Sequence, residues 1–166
     1  LPCKQEKRYS LEWKKIHSNR GYVMALMLIE LNELNFDIVK RYLEKGFKMT
    51  SLAKIATQSV CSSSENKYEL LEPWIQWPSV HTGKTFDEHK IFRLGDAVNY
   101  KGSQIFENIQ NRGYTVGNLS AMNAVNNMES PAFFIPDPWT KTEPDKSLIS
   151  KMLTQAISQV VNDNAG

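Results

Sequence analysis

Two glutamates lie at the end of the most apolar segment of the chain, where a carboxylate could bind a metal ion. Residues 22–31 form a short apolar run without alternation, which favours a strand covered on both faces of a parallel sheet, although the pattern also fits a buried helix. Glu30 and Glu33 stand where this run ends. Because the carboxyl ends of parallel strands converge on one crevice, these carboxylates would face a metal there; the alternative is two solvated acids.

Hydroxyl and imidazole side chains gather in the middle of the chain. Ser79, Thr82 and Thr85 lie close in sequence to His81, and His89 follows eight residues later. A hydroxyl attacks an ester only when a neighbouring base or a metal lowers its pKa. The Ser79–His81 spacing is a weak indication of a serine-hydrolase triad, because triads are defined by geometry. The histidines also lack the spacing of a metal motif, so a structural or surface role is the alternative for both.

A pair of tryptophans is the third candidate feature. Trp74 and Trp77 are three residues apart and could form a platform on which a sugar ring stacks, because indole rings are broad and amphipathic. The alternative interpretation is that both rings fill the core beside the sheet.

The composition excludes several classes of function. The 166 residues are 41% hydrophobic and 23% charged, as in a single globular domain. The 20 basic and 18 acidic residues give a net charge of +2, and no glycine-rich phosphate loop or basic patch with interleaved aromatics is present, so we expect no nucleic-acid partner. No apolar run reaches the roughly 18 residues of a transmembrane segment.

The cysteines and the amino-terminal residues give limited information about the cellular compartment. Cys3 and Cys61 have no metal or redox spacing and are expected to be free thiols. Residues 1–20 are polar and basic, without the apolar core of a signal peptide. The compartment therefore stays open, with the cytoplasm slightly favoured.

Helices and strands alternate along the chain, which predicts an α/β fold with a mostly parallel sheet flanked by helices. A helix capped by Asn35 should end at Gly46, and a second helix should occupy residues 51–60. Residues 68–77 are predicted to form a loop or short strand, and residues 82–96 a loop with little regular structure. A helix over 103–112 leads through Gly113 into a strand over 114–119. The Asn-rich residues 120–127 then form a loop at the carboxyl end of that strand, where ligands bind in open α/β sheets.

The last third of the chain predicts one irregular segment and one helix. Residues 132–140 are aromatic and broken by two prolines, and residues 145–161 form the longest helix, with a broad apolar stripe expected to pack on the sheet. We divide the chain into a polar segment over 1–21 and an α/β domain over 22–166.

The order of these segments resembles the amino-terminal half of the alkaline phosphatase superfamily, which includes sulfatases and type I phosphodiesterases. The resemblance covers about residues 22–140, and its most specific part is a Thr-Gly pair, five residues, then His-x-Ile, here Thr82-Gly83 and His89-Lys90-Ile91. Within the superfamily the chain resembles an uncharacterised bacterial branch, through the segments Glu30-Leu31-Asn32-Glu33 and Pro73-Trp74-Ile75-Gln76-Trp77.

This resemblance implies a metal-dependent hydrolase or transferase that acts on phosphate or sulfate esters. Members usually bind two divalent metals, here expected to be Zn, Mn or Mg, and Glu30 stands in the place of a metal-binding Asp. Gln76 occupies the place of the nucleophile, and an amide is no nucleophile. The attacking group could instead be Ser79, Thr82 or a metal-activated water, or catalysis could be lost.

The remaining site residues implied by the resemblance surround the ester. Gln76, Ser79 and His81 would face the ester group as the catalytic set, and a set of neighbouring residues would bind the substrate: Asn32, Glu33, Trp74, Trp77 and Thr82. The other metal ligands of the family come from its carboxyl-terminal half, so we expect this chain to be a fragment whose partners are a small-molecule or glycan ester and the missing half of the same domain.

Two other functions remain open from the sequence. The first is a non-catalytic member of the fold that binds a glycan or other ligand through Trp74 and Trp77. The second is an α/β interaction module that uses the helix over 145–161.

Overall fold

The computed structural model describes residues 25–32, 34–49, 51–52, 54 and 67–163, with side chains as far as residue 161. The chain divides into two compact units, Leu1–Leu31 and Asn32–Gly166. The predictions for Glu33, for both cysteines, for the polar segment over 1–21 and for most of the helix over 51–60 lie outside the described residues.

The described part of the first unit has no regular secondary structure. The strand predicted over 22–31 is therefore wrong for residues 25–31, whose apolar side chains are exposed, with Leu26 at 73% and Met27 at 80%. An apolar run becomes a strand only where a neighbouring strand pairs with it and packing covers its faces. No described strand pairs with this run, so its composition alone does not produce one.

The second unit begins with a helix that the sequence predicts well. Helix α1 spans Phe36–Glu44, and the Asn35 side chain accepts hydrogen bonds from the backbone N–H groups of Asp37, at 2.9 Å, and Ile38, at 3.2 Å. These bonds satisfy two donors that lack a partner within the helix. The chain leaves the helix at Gly46, whose φ of +84° is strained for other residues.

Regular structure over residues 68–90 differs from the prediction. A short 3₁₀ helix spans Tyr68–Leu70, α2 spans Pro73–Thr82, and α3 spans Phe86–His89. Proline suits the first position of a helix because its missing N–H has no partner to lose there, so Pro73 starts α2 instead of breaking it. The predicted loop or short strand over 68–77 is thus wrong. The segment over 82–96, predicted as loop with little regular structure, contains the four-residue α3 and the first residue of a 3₁₀ helix at Asp96–Asn99.

A small parallel sheet lies on the next helix. Helix α4 spans Ile105–Gln110, and the chain turns through Gly113 into β1, Gly117–Leu119, as predicted. Strand β2, Phe133–Ile135, pairs with β1 in parallel, so the irregular interpretation of residues 132–140 is wrong for β2. Buried side chains from α4, the sheet and the loop after β1 form one core: Phe106, Val116, Ala124, Met128 and Phe134.

Asp145 covers the outer edge of β2. Its backbone N–H donates to the carbonyl of Phe134 at 3.0 Å, and its carboxylate accepts from the Phe134 N–H at 2.6 Å and the Ser147 N–H at 2.8 Å. Partial burial raises the pKa of Asp145, but hydrogen bonds from Ser150, Phe134 and Ser147 outweigh this effect and hold the pKa well below its usual range.

The long helix at the end of the chain is less buried than its apolar stripe predicts. Helix α5 spans Leu148–Asp163 and packs on β2, with Ser150 buried. Leu148 and Ile149 stay 72% and 71% exposed. The predicted packing of this helix on the sheet is confirmed, but part of its apolar stripe stays exposed. None of the described helices combines the length and apolar character that a membrane span requires.

Candidate site at the carboxyl end of β1

Three side chains meet beside the loop that follows β1. The indole N–H of Trp77 donates to Oδ1 of Asn32, and Nδ2 of Asn32 lies 3.8 Å from the sulfur of Met122. Met122 belongs to the loop whose Ala121 N–H donates to the side chain of Asn118 at 3.2 Å. Two of the predicted substrate-binding residues, Asn32 and Trp77, are thus brought to the edge of the sheet where ligands of open α/β folds bind.

Asn118 offers a buried donor at this edge. Its side chain is on the buried face of β1 with 4% exposure, and its Nδ2 has no hydrogen-bond partner within the described part of the chain. A buried amide N–H without a partner costs roughly 1–3 kcal/mol. Native structures keep such groups rarely, and one reason is a ligand that completes the bond.

The loop after β1 is held in an uncommon backbone conformation. Ser120 has a φ of +56° and Asn123 a φ of +54°, in the left-handed region that few residues other than glycine adopt. Backbone strain of this kind persists only where the surroundings enforce it, and it concentrates at functional sites.

Asn123 enforces that conformation through its side chain. Oδ1 accepts from the N–H groups of Gly95 at 3.0 Å and Ala97 at 3.2 Å, and Nδ2 donates to the carbonyls of Trp74 at 2.7 Å and Arg93 at 3.0 Å. Asn123 is fully buried, so this one side chain ties the loop to the start of α2 and to residues 93–97.

A buried aspartate supports the same loop from the other side. The backbone N–H of Asn123 donates to Oδ2 of Asp137 at 2.9 Å, and the Thr140 hydroxyl donates to the same oxygen at 2.6 Å. The Trp139 N–H donates to Oδ1 at 2.9 Å. The carboxylate of Asp137 therefore acts as a fixed acceptor within the chain.

Ser79 and His89 are in contact, but their hydrogen bonds point the wrong way for catalysis. Ser79 Oγ lies 2.9 Å from Nε2 of His89, and the Ile91 N–H donates to Nδ1 of the same ring at 3.0 Å. Since Nδ1 accepts, the proton of the neutral ring is on Nε2, which donates to Ser79. A general base must accept the hydroxyl proton, so His89 does not activate Ser79 in this arrangement.

The charge state of His89 fits this assignment. Burial lowers the pKa of His89, and the nearby positive Lys84 and Lys90 lower it further, while Glu88 opposes them. The neutral ring is favoured, which is the form that can accept at Nδ1 and donate at Nε2.

The other predicted catalytic residues are held within local structure. Nε2 of Gln76 donates to the Leu70 carbonyl at 2.6 Å, and the Thr82 hydroxyl donates to the Pro78 carbonyl at 2.7 Å. His81 is buried, stacks on the Trp77 ring and lies 5.3 Å from the Phe106 ring centroid.

The residues described do not by themselves make a metal centre. Across the described ranges no group of three or more His, Cys, Asp or Glu side chains could hold a metal ion. Glu30, the predicted metal ligand, belongs to the first unit, and Glu33 lies outside the described residues.

Comparison with protein-family models, with curated proteins and with solved structures finds no match for this chain. The resemblance to the alkaline phosphatase superfamily therefore stays a prediction. The sequence did point to the loop over 120–127, through its asparagines and its place after a strand, but not to Asn118, whose burial depends on the pleat of β1.

Proposed function

We propose that this chain is part of a hydrolase or transferase for phosphate or sulfate esters and that it binds the ester's oxygens at the carboxyl end of β1. The observation that carries this proposal is the buried Nδ2 of Asn118, which lacks a partner among the described residues. The charged oxygens of phosphate and sulfate accept hydrogen bonds, so they match a donor of this kind. The order of segments that resembles the alkaline phosphatase superfamily supports the same chemistry.

The proposal assigns the attack to a group other than Gln76 or Ser79. Gln76 has no nucleophilic atom, and the hydroxyl of Ser79 accepts a hydrogen bond from the His89 ring instead of donating one to it. Metal dependence rests on the resemblance and on Glu30 alone, because the described residues do not fit a complete metal site. We therefore derive no step through a metal.

Equilibrium binding of inorganic phosphate and sulfate to the whole chain tests the proposal directly. Replacing Asn118 with alanine should weaken binding about tenfold, since a lost hydrogen bond to a charged oxygen is worth roughly 1.5 kcal/mol or more. Asn118→Asp should abolish binding, because it places a negative charge against the anion. Asn108→Ala, at an exposed position of α4, is the matched control and should bind as the unaltered chain does.

Two results would overturn the proposal. One is that neither anion binds in the millimolar range; the other is that Asn118→Ala binds as tightly as the unaltered chain. Circular dichroism checks that the alanine variant is folded, which we expect because it loses only the hydrogen bond accepted from the Ala121 N–H.

A non-catalytic member of the same fold is the second candidate function. It is favoured by the hydrogen bonds that engage Gln76 with Leu70 and Ser79 with His89. In this case phosphate or sulfate would bind, yet aryl phosphate, phosphodiester and aryl sulfate substrates would show no turnover with Zn²⁺, Mn²⁺ or Mg²⁺. Turnover of any of them, lost in Glu30→Ala, would favour the hydrolase.

A further inference from the structure

A pocket lies at the start of α2, and none of its lining residues belongs to the site after β1. Its volume is about 410 Å³, within the usual range of roughly 300–1,000 Å³ for small-molecule sites. Trp74 and Phe92 supply aromatic walls, and Ile75 and Leu94 add apolar surface. The pocket uses only one of the two tryptophans of the sequence pair, because Trp77 turns to Asn32 and His81.

Charged groups of both signs line this pocket without pairing. Glu69, Glu72 and Arg93 are exposed, and none of these side chains forms an ion pair or hydrogen bond with another described residue. The rim therefore carries two residues whose carboxylates accept hydrogen bonds and one whose guanidinium donates them.

This mixture discriminates between classes of ligand. A simple anion would meet two carboxylates, and a simple cation would meet the Arg93 guanidinium. A neutral sugar ring matches both, since each hydroxyl can donate to a carboxylate and accept from a guanidinium. The apolar face of such a ring can lie on a broad indole ring such as that of Trp74.

We propose that this pocket binds the ring of a neutral hexose, with Trp74 as the stacking surface and Glu69, Glu72 and Arg93 as hydrogen-bonding partners of its hydroxyls. This site shares no lining residue with the ester-binding site, since neither Asn118 nor a residue of the loop after β1 lines it. The chain would then bind a glycan through one tryptophan instead of a two-tryptophan platform.

Ligand-observed NMR with methyl glycosides of glucose, mannose and galactose tests this site on the whole chain. We expect at least one glycoside to bind with a millimolar dissociation constant. Trp74→Ala should weaken that binding at least tenfold, whereas Trp74→Phe should retain most of it because a ring remains. Glu72→Gln and Arg93→Gln should each weaken it several-fold. Tyr114→Ala, which removes an exposed ring elsewhere, is the matched control and should change nothing.

Three results would overturn the inference. The first is that no glycoside binds saturably, and the second is that Trp74→Ala binds glycoside as the unaltered chain does. The third is that tetramethylammonium or phosphate competes for the pocket more strongly than any glycoside, which would assign it to an ion. Phosphate binding that depends on Asn118 but not on Trp74 belongs to the other site, so the two proposals fail separately.

Discussion

Replacing Asn123 with alanine should cause a large loss of stability, because one buried side chain satisfies four backbone groups. The substitution leaves the N–H groups of Gly95 and Ala97 and the carbonyls of Trp74 and Arg93 without their partner. At about 1 kcal/mol for each bond, the loss is about 4 kcal/mol. Alanine at a φ of +54° adds about 1 kcal/mol. The whole free energy of unfolding of a typical domain is only about 5–15 kcal/mol.

A glycine variant separates the two contributions. Asn123→Gly loses the same four hydrogen bonds but removes the backbone cost, so its free energy of unfolding should lie about 1 kcal/mol above that of Asn123→Ala. Urea unfolding at pH 7, followed by tryptophan fluorescence and circular dichroism, measures both variants. Asn108→Ala, at an exposed helix position, should stay within about 0.5 kcal/mol of the unaltered chain.

The reasoning would be refuted if Asn123→Ala lost less than about 1.5 kcal/mol, since at most one of the four bonds would then contribute. It would also fail if the glycine variant were as stable as the unaltered chain, because backbone strain alone would then explain the effect.

Three further predictions concern Ser79, His89 and Asp145. Ser79→Ala should leave any ester turnover within about twofold, because His89 donates to Ser79; a loss of 100-fold or more would identify Ser79 as the nucleophile. The pKa of His89 in the folded chain is below its unfolded value near 6.5, so unfolding takes up a proton and the free energy of unfolding should fall as the pH drops below about 6.5. His89→Gln should flatten this pH dependence in urea titrations, and an unchanged slope would contradict the lowered pKa. The pKa of Asp145 is also lowered, and its carboxylate accepts two backbone hydrogen bonds, so Asp145→Ala should lower the free energy of unfolding by about 2 kcal/mol at pH 7. Thermal unfolding should show that the stability difference between the two chains shrinks as the pH falls below about 4, and a constant difference would contradict the low pKa.

Local sequence patterns predicted the elements whose ends are fixed by single residues. Asn35 and Gly46 delimit α1, and Gly113 separates α4 from β1, because capping and left-handed turns depend on the residue itself and not on distant packing. The parallel pairing of β1 was predicted from the helix-to-strand connection, and it is present with β2. The partner strand itself was missed, because aromatic residues beside prolines look irregular without the sheet they join.

The exposed apolar segments show that an apolar sequence pattern is not sufficient to predict burial. Residues 25–31 and the stripe of α5 have the composition of buried elements, yet much of their apolar surface remains exposed. Burial depends on whether other parts of the fold reach the same surface, and no local pattern contains that information. Pro73 is the reverse case, since it lies in a segment predicted as loop or short strand, yet it begins a helix.

Local patterns along the chain were sufficient to predict the mixed α/β class, the helix capped by Asn35 and the position of an Asn-rich loop after a strand. Which side chains of the candidate site meet depends on the three-dimensional fold. Asn32 is hydrogen-bonded to Trp77, whereas Trp74 lines a pocket that Trp77 does not line. The Ile91 N–H donates to Nδ1 of His89, so the proton of the neutral ring is on Nε2. Hydrogen-bond direction and burial are properties of contacts between residues far apart in sequence, so spacing along the chain cannot specify them.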